Sequence, residues 1–127
     1  MNIIVWIAHA LVVVIFLLTG VPKIFMPIED LIAQGMWWME DFSVWQIRGI
    51  GILETLAAFG LVLPYLIKGL PNLLVPLASS GLALTMIGAI ATHVLREDPI
   101  LSIVVTTIIL LLCLFVTIRR YTNLKDS

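Results

Sequence analysis

A chain of 127 residues that is 61% hydrophobic, with a mean hydropathy of +1.16, is too apolar for a water-soluble domain, in which apolar residues make up about half. Its net charge of −1 offers no basic surface for nucleic acid, and its single cysteine, Cys113, excludes an internal disulfide, a CxxC redox pair and a thiolate metal cluster. Of its seven basic and eight acidic residues, all but Glu54 lie between, or at the ends of, four long uncharged runs.

Each run reaches or nears the roughly 20 residues that a helix needs to cross a bilayer core. The sequence therefore predicts an all-α membrane protein, an antiparallel up-down-up-down bundle of four transmembrane helices over residues 3–26, 44–66, 72–94 and 99–120. One domain covers 1–127, without a linker. The first span has no Lys or Arg ahead of it, and Ala8 and Ala10 come too early for a cleavage site, so it is expected to remain as an uncleaved anchor. Pro22 falls near its end, where a kink is tolerated. On a helical wheel His9, Phe16, Gly20 and Lys23 fall within about 60°, an inward seam with Lys23 at its end. His9 is read as a hydrogen-bonding link between helices.

From Pro27 to Phe42 acidic residues (Glu29, Asp30, Glu40, Asp41) alternate with apolar ones, a mixture suited to the interface. Indole rings concentrate at headgroup level, so Trp37, Trp38 and Trp45 are expected to anchor this connection, with a short surface helix opening at Pro27. Ser43 followed by Gln46 has the form of a capping box and starts the second span at Val44, which ends between Pro64 and Lys68. Asn72 is expected to cap the third span, with Pro76 in its first turn. Asp98-Pro99 opens the fourth, which ends at Arg119 and Arg120. With an even number of crossings, Lys68, Arg119, Arg120 and Lys125 share one side with the termini, against Lys23, Arg48 and Arg96 opposite. The positive-inside rule then favours cytoplasmic termini.

Glu54 is the chemical signal. A carboxyl group at bilayer depth costs roughly 2.5–3.5 kcal/mol and is usually paired, inward-facing and functional. Arg48, six residues earlier, faces another direction, so the partner must come from another helix. Gly51, Ala57 and Ala58 surround Glu54 with little bulk and let a neighbouring backbone approach. Gly81, Thr85, Ala89 and His93 repeat every four residues and predict an inward stripe on the third span; Ser102 and Thr106 share a face of the fourth. The resulting picture is a polar pocket at one membrane face. Glu54 and His93 are its candidate catalytic residues, Thr85 lies on its wall, and Lys23, Arg48 and Arg96 form a binding rim.

Such a site suits a quinone, whose carbonyls accept hydrogen bonds, whose reduction takes up protons, and whose tail lies in the bilayer; Glu54 and His93 would relay the protons. The structural alternative is that Glu54 only fixes helix register, His93 sits at the interface and the three cations anchor headgroups. No metal site and no intrinsic cofactor are expected.

Three stretches carry a family resemblance: Thr19-Gly20-Val21-Pro22-Lys23-Ile24-Phe25; Arg48-Gly49-Ile50-Gly51-Ile52-Leu53-Glu54 leading to Gly60-Leu61-Val62-Leu63-Pro64; and Met86-Ile87-Gly88-Ala89-Ile90-Ala91-Thr92-His93. In this order they resemble the DoxX and DoxX-like family of small bacterial and archaeal membrane proteins, over all four spans. The resemblance implies a four-helix protein of a prokaryotic cytoplasmic membrane and carries Lys23, Glu54 and His93 over by motif. It also implies an association with redox processes, since the family includes a subunit type of a thiosulfate:quinone oxidoreductase. The expected function is a redox-associated accessory or quinone-interacting subunit, possessing as partners the bilayer, a lipophilic small molecule, and a redox protein or a second copy. Whether the chain is itself an enzyme is left open. The alternatives are a non-catalytic assembly protein, whose acidic Trp-rich connection recruits a partner, and a small lipid or solute carrier.

Overall fold

The computed structural model describes residues 3–125, and among them every regular element is helical. Helix α1 (Ile3–Phe25) stops at the residue before Met26, because Pro27 disfavours helical backbone in the residue ahead of it. Helix α2 (Ile28–Ala33) and a 3-10 turn (Trp37–Asp41) form the connection. At Ser43 the capping box is complete: Ser43 Oγ accepts from the Gln46 amide at 3.2 Å, and Gln46 Oε1 accepts from the Ser43 amide at 2.9 Å. Two orphan donors are thereby satisfied, and α3 (Val44–Leu66) begins where expected.

Two helix ends differ from the expectation. Helix α4 (Leu74–Leu95) is preceded by Leu73, and Asn72 does not cap it with its side chain. The amides Asn72 would have served, those of Leu74 and Val75, are bonded to the carbonyls of Pro71 and Asn72, so a tight backbone turn replaces the cap. Helix α5 (Ile100–Lys125) does not stop at Arg120 but runs a further turn. Nothing after Pro99 breaks it, since residues 100–125 contain neither Gly nor Pro, and Arg120 is buried against other helices rather than marking an exit into water.

α1, α3, α4 and α5 are 22–26 residues long and apolar enough to cross a membrane. At 1.5 Å per residue they measure about 33–39 Å, enough for a hydrocarbon core of about 30 Å. The side chains pointing away from the bundle are apolar, Leu18, Leu53, Leu84 and Leu101 among them. This is an integral membrane protein. α1 packs most extensively on α3 and α4 on α5, while α3–α4 and α1–α5 contacts close a ring of four antiparallel helices.

The α1–α3 crossing is tight. A Cβ added to Gly51 would lie 2.7 Å from the Gly20 carbonyl oxygen and 2.7 Å from Lys23 Cβ, and one added to Gly20 would lie 2.7 Å from Thr55 Oγ1. Only glycines allow the two backbones to come this near. Phe16, Leu61, Leu82 and Val116 fill the centre of the bundle. A smaller cluster of Leu31, Met39 and Ile47 seats the connection on the start of α3.

Candidate functional site

Glu54 is 1% exposed and held from α1: Lys23 Nζ donates to Oε1 at 2.6 Å, and Thr19 Oγ1 donates to Oε2 at 3.1 Å. Lys23 is itself buried. Both side chains depend on the Gly20–Gly51 contact, which brings the last turns of α1 against the middle of α3. The ammonium also lies 5.5 Å from the centre of the Trp38 ring, so Trp38 closes the side that Glu54 leaves open. Arg48 does not reach the carboxylate. Its Nη1 donates to the carbonyls of Lys23 at 2.9 Å and Met26 at 2.6 Å, satisfying acceptors that the end of α1 leaves without helical partners.

A cavity of about 450 Å³ lies beside this pair, between α1, α4 and α5 and under Met36, Trp38 and Phe42 of the connection. Thr19, Lys23, Thr85, Thr92, His93 and Thr106 contribute polar groups to an otherwise apolar wall. The small residues of α4 explain the void. Its buried face is made by Val75, Ser79, Leu82, Ala83 and Met86, whereas Gly88 and Ala89 line the cavity with almost no side-chain volume. The expected inward stripe is therefore divided: Thr85, Ala89 and His93 border the cavity, and Gly81 is exposed with nothing near it. The hydroxyls of Thr85, Thr92 and Thr106 donate to the carbonyls of Gly81, Gly88 and Ser102, so what they offer the cavity is acceptor lone pairs.

His93 is oriented from behind. At the end of α4 the chain turns through Glu97, the one non-glycine residue with positive φ (57°) among those described. The Asp98 amide donates to the His93 carbonyl at 3.0 Å and the Glu97 amide to that of Val94 at 3.2 Å, the pair of bonds that closes a Schellman turn. This reversal brings Asp98 Oδ2 within 2.7 Å of His93 Nδ1. A carboxylate only accepts, so Nδ1 carries the proton and Nε2 of the neutral ring is left as a base. Arg96 Nε donates to both Asp98 oxygens at 3.2 Å, and its Nη1 donates to Asp41 on the connection. The hydrogen bond from His93, then that from Arg96, hold the Asp98 carboxyl below its ordinary range.

A sequence profile of the DoxX-like family matches residues 7–116, which include the Lys23–Glu54 pair, His93, the whole of α3 and α4 and most of α1 and α5. The chain belongs to that family. No curated protein matches it, and no solved structure does. In this DoxX-like protein the three residues carried over by motif lie in the same half of the bundle but in two groups, Lys23 with Glu54 and His93 with Asp98. Glu54 is not in the cavity wall; its contacts Thr19 and Lys23 are. Arg48 and Arg96 also stay out of the wall, binding backbone and acidic neighbours instead. Of the three tryptophans expected to anchor the connection, Trp37 and Trp45 are exposed, while Trp38 turns in to the cavity.

Sequence reasoning missed the contact of Thr19 with Glu54, the place of Trp38 in the cavity wall rather than only at the interface, and the pairing role of Asp98. Thr19 stands one turn before Lys23, a spacing that puts both on one face and was enough to identify it. Asp98 gave no such signal, because its approach to His93 depends on the reversal at Glu97.

Proposed function

We propose that this protein is a redox-associated membrane subunit whose cavity takes the head of a small lipophilic carbonyl compound of the quinone class. It would sit in a prokaryotic cytoplasmic membrane with both termini inside, beside a redox partner that supplies or removes electrons. The observation that carries the reading is the cavity itself. At about 450 Å³ it is within the range of small-molecule sites, mostly apolar, with a cation and a base on its wall. The donor set fits a quinone head: Lys23 uses one ammonium proton on Glu54 and keeps others for a ligand carbonyl, and the threonines accept from a hydroxyl.

A bound quinone would supply two-electron, two-proton carbonyl–hydroxyl chemistry. His93 exchanges one of those protons at Nε2, and Asp98 stabilises the imidazolium that results. Lys23 orients the carbonyl, while Glu54 holds Lys23 without touching the ligand. Trp38, Phe42 and Ile109 supply apolar surface to the same wall.

Titrating the purified protein with a short-tailed ubiquinone analogue, and following fluorescence quenching against a Trp38→Phe control, tests this. Saturable binding is expected, weakened by about tenfold in Lys23→Met for the loss of one charge-assisted hydrogen bond. His93→Phe should weaken it by a similar factor, for the loss of the ring's hydrogen bond. Binding indifferent to both substitutions would refute the proposal. The enclosure of Glu54 at the α1–α3 crossing favours a second reading, a non-catalytic assembly protein; folded variants with unchanged partner association and no quinone affinity would support it.

A further inference from the structure

At the opposite end of the bundle a second cation is buried, and the cavity chemistry does not use it. Arg120 of α5 is 7% exposed, with its Nε donating to His9 Nδ1 at 3.1 Å and its guanidinium carbon 4.2 Å from the centre of the Trp6 ring and 5.7 Å from that of Tyr65. His9 in turn donates from Nε2 to the Leu61 carbonyl at 2.8 Å, which fixes the tautomer that can accept from Arg120. One side of the guanidinium is thus organised by α1 and α3. The other is not: Arg120 Nη2 is buried and has no hydrogen-bond partner, and the neighbouring Arg119 Nε is in the same condition.

Among the described residues no carboxylate compensates these charges. The start of α1, the connection from α3 to α4 and the end of α5 share this face and hold Lys68, Arg119, Arg120 and Lys125; the nearest acid in sequence is Asp126, outside the described residues. Among the described residues Arg120 has no ion-pair partner, and a buried cation lacking one is strongly disfavoured unless an anion is supplied. Its depth says which anion. Arg120 lies twenty residues beyond Ile100, about 30 Å along α5, the thickness of the hydrocarbon core, so the guanidinium sits where phosphates of the second leaflet begin. Trp6 and Tyr65 are at the same level, as interfacial aromatics are.

We infer that Arg119 and Arg120 bind a phosphate group through Nη2 and Nε, and that its source is an anionic phospholipid of the leaflet rather than free phosphate. The planar guanidinium, stacked and already fixed by His9, offers its remaining donors to phosphate oxygens without further ordering. This site is independent of the cavity and of any quinone.

Native mass spectrometry of the detergent-solubilised full chain, titrated separately with phosphatidylglycerol, phosphatidylcholine and inorganic phosphate, tests it. One tightly retained phosphatidylglycerol is expected, with phosphatidylcholine and millimolar phosphate failing to displace it. Arg120→Gln should weaken retention by about tenfold, the scale of one charge-assisted hydrogen bond. Should that variant not fold, Arg119→Gln, which leaves the Trp6–His9–Tyr65 cluster intact, should still lower retention severalfold. Equal retention of the two lipids, displacement by inorganic phosphate, or retention unchanged in the folded variants would overturn the inference.

Discussion

Lys23 and Glu54 illustrate why a buried ion pair is judged by what happens when half of it is removed. Glu54→Leu leaves an unmatched ammonium under Trp38 and should cost about 3–5 kcal/mol, whereas Lys23→Met with Glu54→Leu removes both charges and should recover most of that loss. Thermal unfolding of the two singles and the double in one detergent measures the coupling. An additive double would mean the pair is not a unit. Asp98 allows a pH prediction. Its hydrogen bonds from His93 and Arg96 depress its folded pKa below the ordinary 3.8, so the stability it adds is present above that value and fades as pH falls through the lowered one. The melting-temperature gap between wild type and Asp98→Asn should therefore persist at mild acidity and close only below about pH 4. Of these residues Glu54 was legible from sequence because a lone charge in an uncharged run demands a partner. Asp98 was not, since sequence spacing does not foretell a left-handed turn at a glutamate.

The helices themselves were largely readable from hydropathy and capping chemistry, and the ends that differed did so for local reasons. Asn72 lost its capping role because backbone carbonyls took the amides, and α5 continued because no residue stops it. Glycines carry information that hydropathy hides. Gly51 and Gly81 read alike in sequence, yet a Cβ at Gly51 meets the Gly20 carbonyl and Lys23, while one at Gly81 meets nothing within 4 Å. Gly51→Ala should thus destabilise by about 1–3 kcal/mol through overpacking and draw Lys23 away from Glu54. Gly81→Ala should be neutral, or stabilising by up to about 1 kcal/mol, from helix propensity alone. Chemical or thermal unfolding of the two alanine variants side by side distinguishes a helix crossing from a permissive surface; equal effects would remove the crossing as the determinant.

At the level of the whole molecule, four antiparallel helices were dictated by hydrophobic run length and short links, and a polar pocket at one face was expected, but its size and its roof were not legible, because they arise from volume that Gly88 and Ala89 omit and from a connection folded over it. That roof is fastened at two kinds of point. Leu31, Met39 and Ile47 form its apolar seat, and Arg96 ties Asp41 on the connection to Asp98 at the end of α4. The two act on different scales. The apolar seat is part of the folded core, whereas an ion pair on the half-exposed Asp41 adds little to global stability and mainly restricts local opening. Arg96→Gln should accordingly leave the melting temperature almost unchanged while hydrogen exchange rises severalfold at the amides of Met39 and Phe42, whose bonds to the Met36 and Met39 carbonyls define the 3-10 turn. Exchange in the centres of α1 and α3 should not move. If opening of the roof admits ligand, the same variant speeds both association and release of the quinone analogue, leaving affinity nearly constant. A uniform rise in exchange across all four helices would show instead that the Arg96 contacts support the bundle as a whole.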